Sequence, residues 1–231
     1  MADEPLPEGA AKVAAVRSMF DAIAPRYDLV NRIMTLRLDV GWRRRTVVDL
    51  HLPPGSTVLD LACGTGDLCR GLLKVGHRPV GIDLSAGMLA AARTTAPLVQ
   101  ADTLDLPVPD GSVDGVTCGF ALRNFADLAA CFGELGRVVR PGGRIALLDA
   151  TTPPNPVLRW GHGIYFGRVV PLIGGLLSDP AAYRYLPRSL AYLPEPAEML
   201  ALLAAAGFAD ARRDLLSGGI AQLLTATRDP A

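Results

Sequence analysis

The ten residues Val58-Leu59-Asp60-Leu61-Ala62-Cys63-Gly64-Thr65-Gly66-Asp67 constrain this 231-residue chain more than any other feature. Residues 57–61 are β-branched or apolar apart from Asp60, the composition of a buried strand. Gly64 and Gly66 then free the backbone to turn, and to let a ligand approach closely, before a helix that begins near Asp67. Strand, glycine turn and helix in that order form the first unit of an α/β fold that holds a nucleotide-like ligand at the carboxyl edge of its sheet. The small residues fall at Ala62, Gly64 and Gly66 rather than in the GxGxxG spacing that lays a pyrophosphate on a helix N-terminus. A dinucleotide oxidoreductase is therefore disfavoured.

The rest of the chain repeats the alternation. Strands are predicted over 57–61, 78–82, 98–101, 113–118 and 144–148 with helical periodicity between them, the pattern of a parallel sheet covered on both faces. Two further strands, 210–215 and 220–227, flank Ser217-Gly218-Gly219 and follow an alanine-rich helix that ends at Gly207. Residues 1–11 hold Asp3, Glu4, Pro5, Pro7, Glu8 and Gly9 and have little to bury, so they are expected to be a mobile lead-in. From residue 12 to 231 the length suits one domain. Within it, helices over 12–52 precede the sheet, and the alternation lapses over 151–197, which reads as an insertion or a lid. The expected fold is thus Rossmann-like α/β: seven strands, mostly parallel, with helical additions before the sheet and after its fifth strand.

The 23 basic and 23 acidic side chains balance, which argues against a nucleic-acid partner and favours a small molecule. The four cysteines, Cys63, Cys69, Cys118 and Cys131, form no CxxC pair or zinc-finger spacing; they are expected to be reduced core thiols, and no metal site is predicted. The N-terminus lacks a basic flank followed by an apolar core, so a cytoplasmic protein is expected. The most apolar stretch, 161–177, is broken by His162, Arg168 and Pro171 and falls short of the roughly 20 apolar residues of a spanning helix.

Asp83 ends the second predicted strand, where an acid accepts hydrogen bonds from ribose hydroxyls; the competing role is a helix cap backed by Ser85. Met88 opens the next helix, placed to flank an adenine. Asp102 follows the third strand, where it can accept from an adenine amino group, with the Thr103 N–H beside it. Asp60, Asp83 and Asp102 thus gather at three successive strand ends, and Gly66, Cys118 and Gly119 would line the same crevice.

The turn resembles motif I of the S-adenosylmethionine (SAM)-dependent class I methyltransferases. More of the chain, from about Val16 to Thr227, resembles the ubiE/COQ5 family of quinone-pathway C-methyltransferases. The likeness rests on Met19-Phe20-Asp21-Ala22-Ile23-Ala24-Pro25-Arg26-Tyr27-Asp28 with Asn31 and Trp42, and on Phe120-Ala121-Leu122-Arg123-Asn124. It continues through Arg137-Val138-Val139-Arg140-Pro141-Gly142-Gly143, Tyr183-Arg184-Tyr185-Leu186 with Ser189, and Ser217-Gly218-Gly219-Ile220-Ala221.

The resemblance implies SAM contacts at Thr65, Asp83, Asp102, Thr103 and Gly119, with Tyr27 closing over the cofactor; otherwise Tyr27 is an aromatic at a helix-to-sheet contact. It also implies methyl transfer to a ring carbon of a reduced quinone, most simply demethylmenaquinol. That reaction requires two aligned ligands and removal of a proton. Arg123 is assigned to the developing quinolate and Asn124 to the ring, the alternatives being an ion pair with a structural carboxylate and a helix cap. Asp149, ending the fifth strand, is a candidate proton acceptor; His162 is another, although a surface or lid histidine fits its place better. Two departures from the family leave the acceptor open: Asp149-Ala150-Thr151 stands where Glu-Phe-Ser/Thr is usual, and Gln222 to Arg228 lack the usual histidine and lysine. The rival acceptors are another phenolic, a polyketide or a sterol-like molecule, and a noncatalytic SAM-binding protein is the reading from a different class. Trp160, Ile164, Tyr165, Phe166 and Val169, interleaved with Arg159 and Arg168, suit a greasy surface for a prenylated quinol or a peripheral membrane contact. Interior packing or a homodimer interface fits the same stripe.

Overall fold

The computed structural model describes residues 8–177, 182, 185 and 188–230. Three helices, α1 (Gly9–Ile23), α2 (Tyr27–Met34) and α3 (Leu38–Asp49), lead into the sheet. Then come β1 (Thr57–Leu61), α4 (Asp67–Lys74), β2 (Arg78–Asp83), α5 (Ala86–Ala90), β3 (Leu98–Gln100), β4 (Val113–Gly119), α6 (Leu128–Val138) and β5 (Val139–Ala150). The insertion carries α7 (Pro156–Ile164), one π-helical turn (Tyr165–Val169) and α8 (Val170–Leu177). The chain ends in α9 (Pro196–Ala205), β6 (Phe208–Leu216) and β7 (Ala221–Arg228).

The seven strands lie in the order β3-β2-β1-β4-β5-β7-β6, with β1 to β5 parallel and β7 antiparallel to both neighbours. Because β1 pairs with β2 on one side and β4 on the other, the strand order reverses there and a crevice opens at their carboxyl ends. Alternation along β1 sends Leu59 and Leu61 to the face shared with Phe132, Leu135 and Leu203, and Val58 to the opposite face with Trp42, Leu68 and Leu72. The two faces are separate hydrophobic cores.

A third core lies outside the sheet. Ile23, Val30 and Met34 of the leading helices pack with Met88 of α5 and Val170 of the insertion, so two segments far apart in sequence close over the carboxyl edge together. Tyr165 donates its hydroxyl to the Met34 carbonyl at 2.8 Å, and Trp42 donates Nε1–H to Ser217 Oγ at 2.9 Å, tying the cover to the sheet.

Several boundaries differ from those expected. Helix α1 begins at Gly9, not residue 12, because Lys12 is a buried anchor: its ammonium donates to the Phe125 carbonyl at 2.7 Å and lies 3.6 Å from the Tyr192 ring centroid. Residues 1–7 of the expected lead-in lie outside the described residues, as do Tyr183, Arg184 and Leu186. Strand β5 starts at Val139, with Pro141-Gly142-Gly143 taken up by a register shift against β4 between Val113 and Gly115. All four cysteines are buried free thiols, as expected. Among the described residues no helix is long and apolar enough to cross a membrane.

Candidate active site

At the end of β1 the backbone enters the left-handed region at Ala62 (φ 48°), Gly64 (φ 54°) and Gly66 (φ 81°), giving the tight turn that the spacing predicted. The glycines do different work. A Cβ on Gly64 would have only Met88 Sδ within 4.0 Å and would fill open space in the crevice. One on Gly66 would sit 2.8 Å from Thr94 Cγ2. Gly66 caps α4 and lines none of the clefts described below, so it shapes the turn without walling the ligand space.

Asp83 holds the turn in place. Its Oδ2 accepts from the Gly64 N–H and its Oδ1 from the Ser85 N–H, both at 2.8 Å. Burial raises its pKa, and the two N–H groups counter that by favouring the carboxylate. The helix-cap role belongs to Ser85 itself, whose hydroxyl accepts from the Met88 N–H. Asp21 on α1 accepts from the Ser85 hydroxyl and the Gly87 N–H, which docks the N-terminal helix onto this corner.

A cavity of about 100 Å³ follows, walled by Tyr27, Gly64, Asp83, Met88, Asp102, Thr103, Gly119 and Asn124. Seven of these are residues assigned above to the cofactor. Met88 is buried with its helix against the cavity, and Asp102 Oδ1 accepts from the Leu104 N–H at 3.0 Å. Below the glycine turn a smaller cleft is lined by Asp60, Thr65, Arg43 and Asp67, again with Tyr27, Gly64 and Gly119. Asp60 is buried, and desolvation pushes its pKa up to about 7 although Thr117 (2.9 Å) and Cys69 (3.3 Å) donate to it. The Thr65 hydroxyl donates to Asp28 Oδ1 at 2.5 Å, so the Tyr27-Asp28 pair at the head of α2 clasps the turn.

The third space is an apolar cavity of about 400 Å³ beneath α2, α3 and the insertion, lined by Met34, Trp42, Phe120, Tyr165, Val170 and Arg123 among others. It shares Phe20, Tyr27 and Phe120 with the cofactor cavity. Phe20 and Tyr27 stack edge to face at 5.9 Å, and Phe120 adopts φ 65°, an uncommon conformation for a bulky residue, at the boundary of the two spaces. Burial raises the pKa of the Tyr27 phenol.

Arg123 and Asn124 diverge from the short turn Leu122–Asn124. Asn124 lines the cofactor cavity, where its Oδ1 accepts from the Tyr185 hydroxyl at 3.2 Å; Arg123 lines the acceptor cavity. The Arg123 guanidinium is anchored by Nη1 to Asp149 Oδ1 and to the Phe120 carbonyl (2.9 Å), and by Nε to Ser189 Oγ (3.0 Å). Asp149 is fully buried, also accepts from the Arg123 backbone N–H at 3.1 Å, and walls neither cavity. The ion-pair alternative for Arg123 is therefore present, with Asp149 as the carboxylate. This orients Arg123, whose side chain lines the cavity. His162 does line the acceptor cavity, stacked on Phe166 at 4.2 Å; its Nε2 is buried without a partner among the described residues, and burial lowers its pKa.

Sequence reasoning missed Arg43, Phe20 and Phe120 as lining residues. The two phenylalanines stand inside motifs already singled out; nothing local marks Arg43.

The donor set fits SAM: a glycine cradle open at Gly64, a strand-end acid for the ribose, an apolar side chain and an acid at the adenine position, and an adjoining apolar cavity for an acceptor. Fold and site together define a class I SAM-dependent methyltransferase. The chain belongs to the ubiE/COQ5 methyltransferase family, which it matches over residues 9–228. It is 45% identical over 216 residues to the demethylmenaquinone methyltransferase of Thermus thermophilus, covering 89% of this chain and 97% of that one. It is 39% identical over 223 residues to the ubiquinone/menaquinone biosynthesis C-methyltransferase UbiE of Syntrophotalea carbinolica, covering 92% and 93%. Among solved structures, phosphoethanolamine N-methyltransferase 2 of Haemonchus contortus in complex with SAM shares the fold, with a TM-score of 0.62 at 14% identity over 82% of this chain and 52% of that one.

Proposed function

We propose that this enzyme methylates a ring carbon of demethylmenaquinol, giving menaquinol. The observation that carries the reading is the apolar cavity of about 400 Å³, with the Arg123 guanidinium in its wall, meeting the cofactor cavity at Phe20, Tyr27 and Phe120. A prenylated ring needs that apolar volume, and its reacting carbon must face the cofactor.

Bound SAM supplies an electrophilic methyl group. The protein must favour the quinolate form of the acceptor, because loss of the hydroxyl proton places electron density on the adjacent ring carbon. Arg123 stabilises that oxyanion through the guanidinium edge left by Asp149 and Ser189, in a pocket where low polarity strengthens the interaction. Asn124, on the cofactor side, orients the ring edge, and Tyr27 and Phe120 keep water from the transfer path. Asp149, sealed behind Arg123, holds the arginine and exchanges no proton with substrate. The hydroxyl proton passes to solvent, S-adenosylhomocysteine leaves as the ring carbon takes the methyl group, and loss of that carbon's proton with reprotonation of the oxygen restores the quinol.

The same reading locates the enzyme in the cytoplasm at the inner face of the membrane. Leu36 (75% exposed) on the α2–α3 loop and Val157 (76%) on α7 line the acceptor cavity, and Trp160 (72%) flanks it on α7. Arg37, Arg159 and Arg168 are exposed around them, a composition suited to an anionic bilayer that holds a prenylated substrate. Incubation with methyl-labelled SAM and a panel of short-chain demethylmenaquinols, demethoxyubiquinols and simple phenols tests the acceptor: label is expected in the demethylmenaquinol first, and preference for a phenol overturns it.

A further inference from the structure

Three spaces converge on Tyr27, which lines the cofactor cavity, the acceptor cavity and the small cleft under the glycine turn. A sulfonium has three substituents. The adenosyl group of SAM suits the cavity of Asp83, Met88 and Asp102, and the methyl group must point to the acceptor. The aminocarboxypropyl arm is left with the small cleft, and that arm ends in a carboxylate and an ammonium.

Arg43 lines this cleft from α3. Its Nη1 donates to Asp39 Oδ2 at 2.5 Å, and Asp39 is itself fixed by the Thr35 hydroxyl at 2.7 Å. The guanidinium carbon lies 5.1 Å from the Phe120 ring centroid, a cation–π contact that adds a second hold on the group. Its Nε is 3.7 Å from Asp67 Oδ2, beyond a hydrogen bond, and Asp67 is already bound by Arg32 at 3.0 Å and by Arg70. The Nε/Nη2 edge is thus held only by this long ion pair with Asp67, on a side chain 13% exposed that also borders the apolar cavity. Asp60, at the base of the same cleft, is the acidic group that complements an ammonium.

We propose that Arg43 binds the α-carboxylate of SAM through the Nε/Nη2 edge of its guanidinium, with Asp39 as the positioning residue that aims it. Two parallel N–H donors match a carboxylate, whereas lysine presents a point charge. The inference rests on SAM as the methyl donor and is independent of which quinol accepts the methyl.

The test is calorimetric binding of two ligands that share the adenosine and the sulfur and differ in the arm: S-adenosylhomocysteine, with the carboxylate, and 5′-methylthioadenosine, without it. Arg43→Gln should weaken S-adenosylhomocysteine about 10- to 100-fold, the range for losing hydrogen bonds to a charged group, and leave 5′-methylthioadenosine within about twofold. Arg43→Lys should recover part of the loss. Equal weakening of both ligands overturns the proposal and makes Arg43 a packing residue, and no weakening of either overturns it outright. Should the glutamine variant fail to fold, the wild-type protein gives the answer with decarboxylated SAM: binding as tight as that of SAM contradicts the assignment.

Discussion

Replacing Asp149 by alanine separates a structural counter-ion from a catalytic base. The side chain is fully buried and accepts from the Arg123 backbone N–H, from Arg123 Nη1 and from the Ala150 N–H. Its removal strands a guanidinium whose side chain is only 7% exposed, leaving Ser189 Oγ and the Phe120 carbonyl as its partners. Breaking a buried pair from one side costs about 3–5 kcal/mol, because the remaining charge stays desolvated. In a domain of this size about 1 kcal/mol shifts Tm by about 2–4 °C, so thermal unfolding followed by circular dichroism should drop by roughly 6–20 °C. Methyl transfer should fall as well, since Arg123 loses its aim. The double replacement Asp149→Leu with Arg123→Met removes both charges and should be more stable than Asp149→Ala alone, though inactive. A single variant that melts within about 2 °C of wild type yet has lost all turnover would show that Asp149 acts on substrate, and the positioning argument would fail; that window is below one kcal/mol.

The two turn glycines should respond differently to alanine: Gly66→Ala, strained at φ 81° and 2.8 Å from Thr94, should cost about 1–3 kcal/mol by urea titration, whereas Gly64→Ala should fold and weaken SAM binding at least about tenfold by filling the cradle. Asp60 gives a pH signature. Its folded pKa of about 7 lies above the usual carboxylate value of 3.8, so its protonated form adds stability below about pH 4 that is lost as pH rises through 7. Asp60→Asn should flatten that decline, by at most about 3 kcal/mol, measured as the difference in unfolding free energy between pH 5 and pH 8. Trp160→Glu should reduce co-sedimentation with anionic vesicles and leave SAM affinity unchanged, since Trp160 lies on the exposed face of α7; undiminished sedimentation counts against that face as the membrane contact.

How much of this was legible in the sequence depends on whether each signal was local. The glycine turn, the strand-end acids Asp83 and Asp102, and the seven strands each announce themselves within a few residues, and the structure puts them together at the β1/β4 crevice. Lys12 reads as the polar start of a helix, and only the packing of α1 beside Phe125 and Tyr192 buries it. Asp149 and Arg123 are each legible as chemistry-bearing residues, yet their pairing, on which the proposed buttress role of Asp149 rests, is set by the approach of β5 to the turn after β4. Arg43 sits among three consecutive arginines on α3; what distinguishes it from Arg44 and Arg45 is the helical phase that aims it at the turn while they stay exposed. The left-handed Phe120 has no composition cue at all, since the residue is neither glycine nor asparagine.

The central claim is that the methyl group of SAM goes to a ring carbon of demethylmenaquinol. Its most direct test is a single-turnover reaction with carbon-13 methyl-labelled SAM and reduced short-chain demethylmenaquinone, with the product examined by carbon-13 NMR. The account predicts a label bonded to the quinone ring carbon beside the hydroxyl. A label on oxygen, or no label in any quinol while SAM still binds, would contradict it.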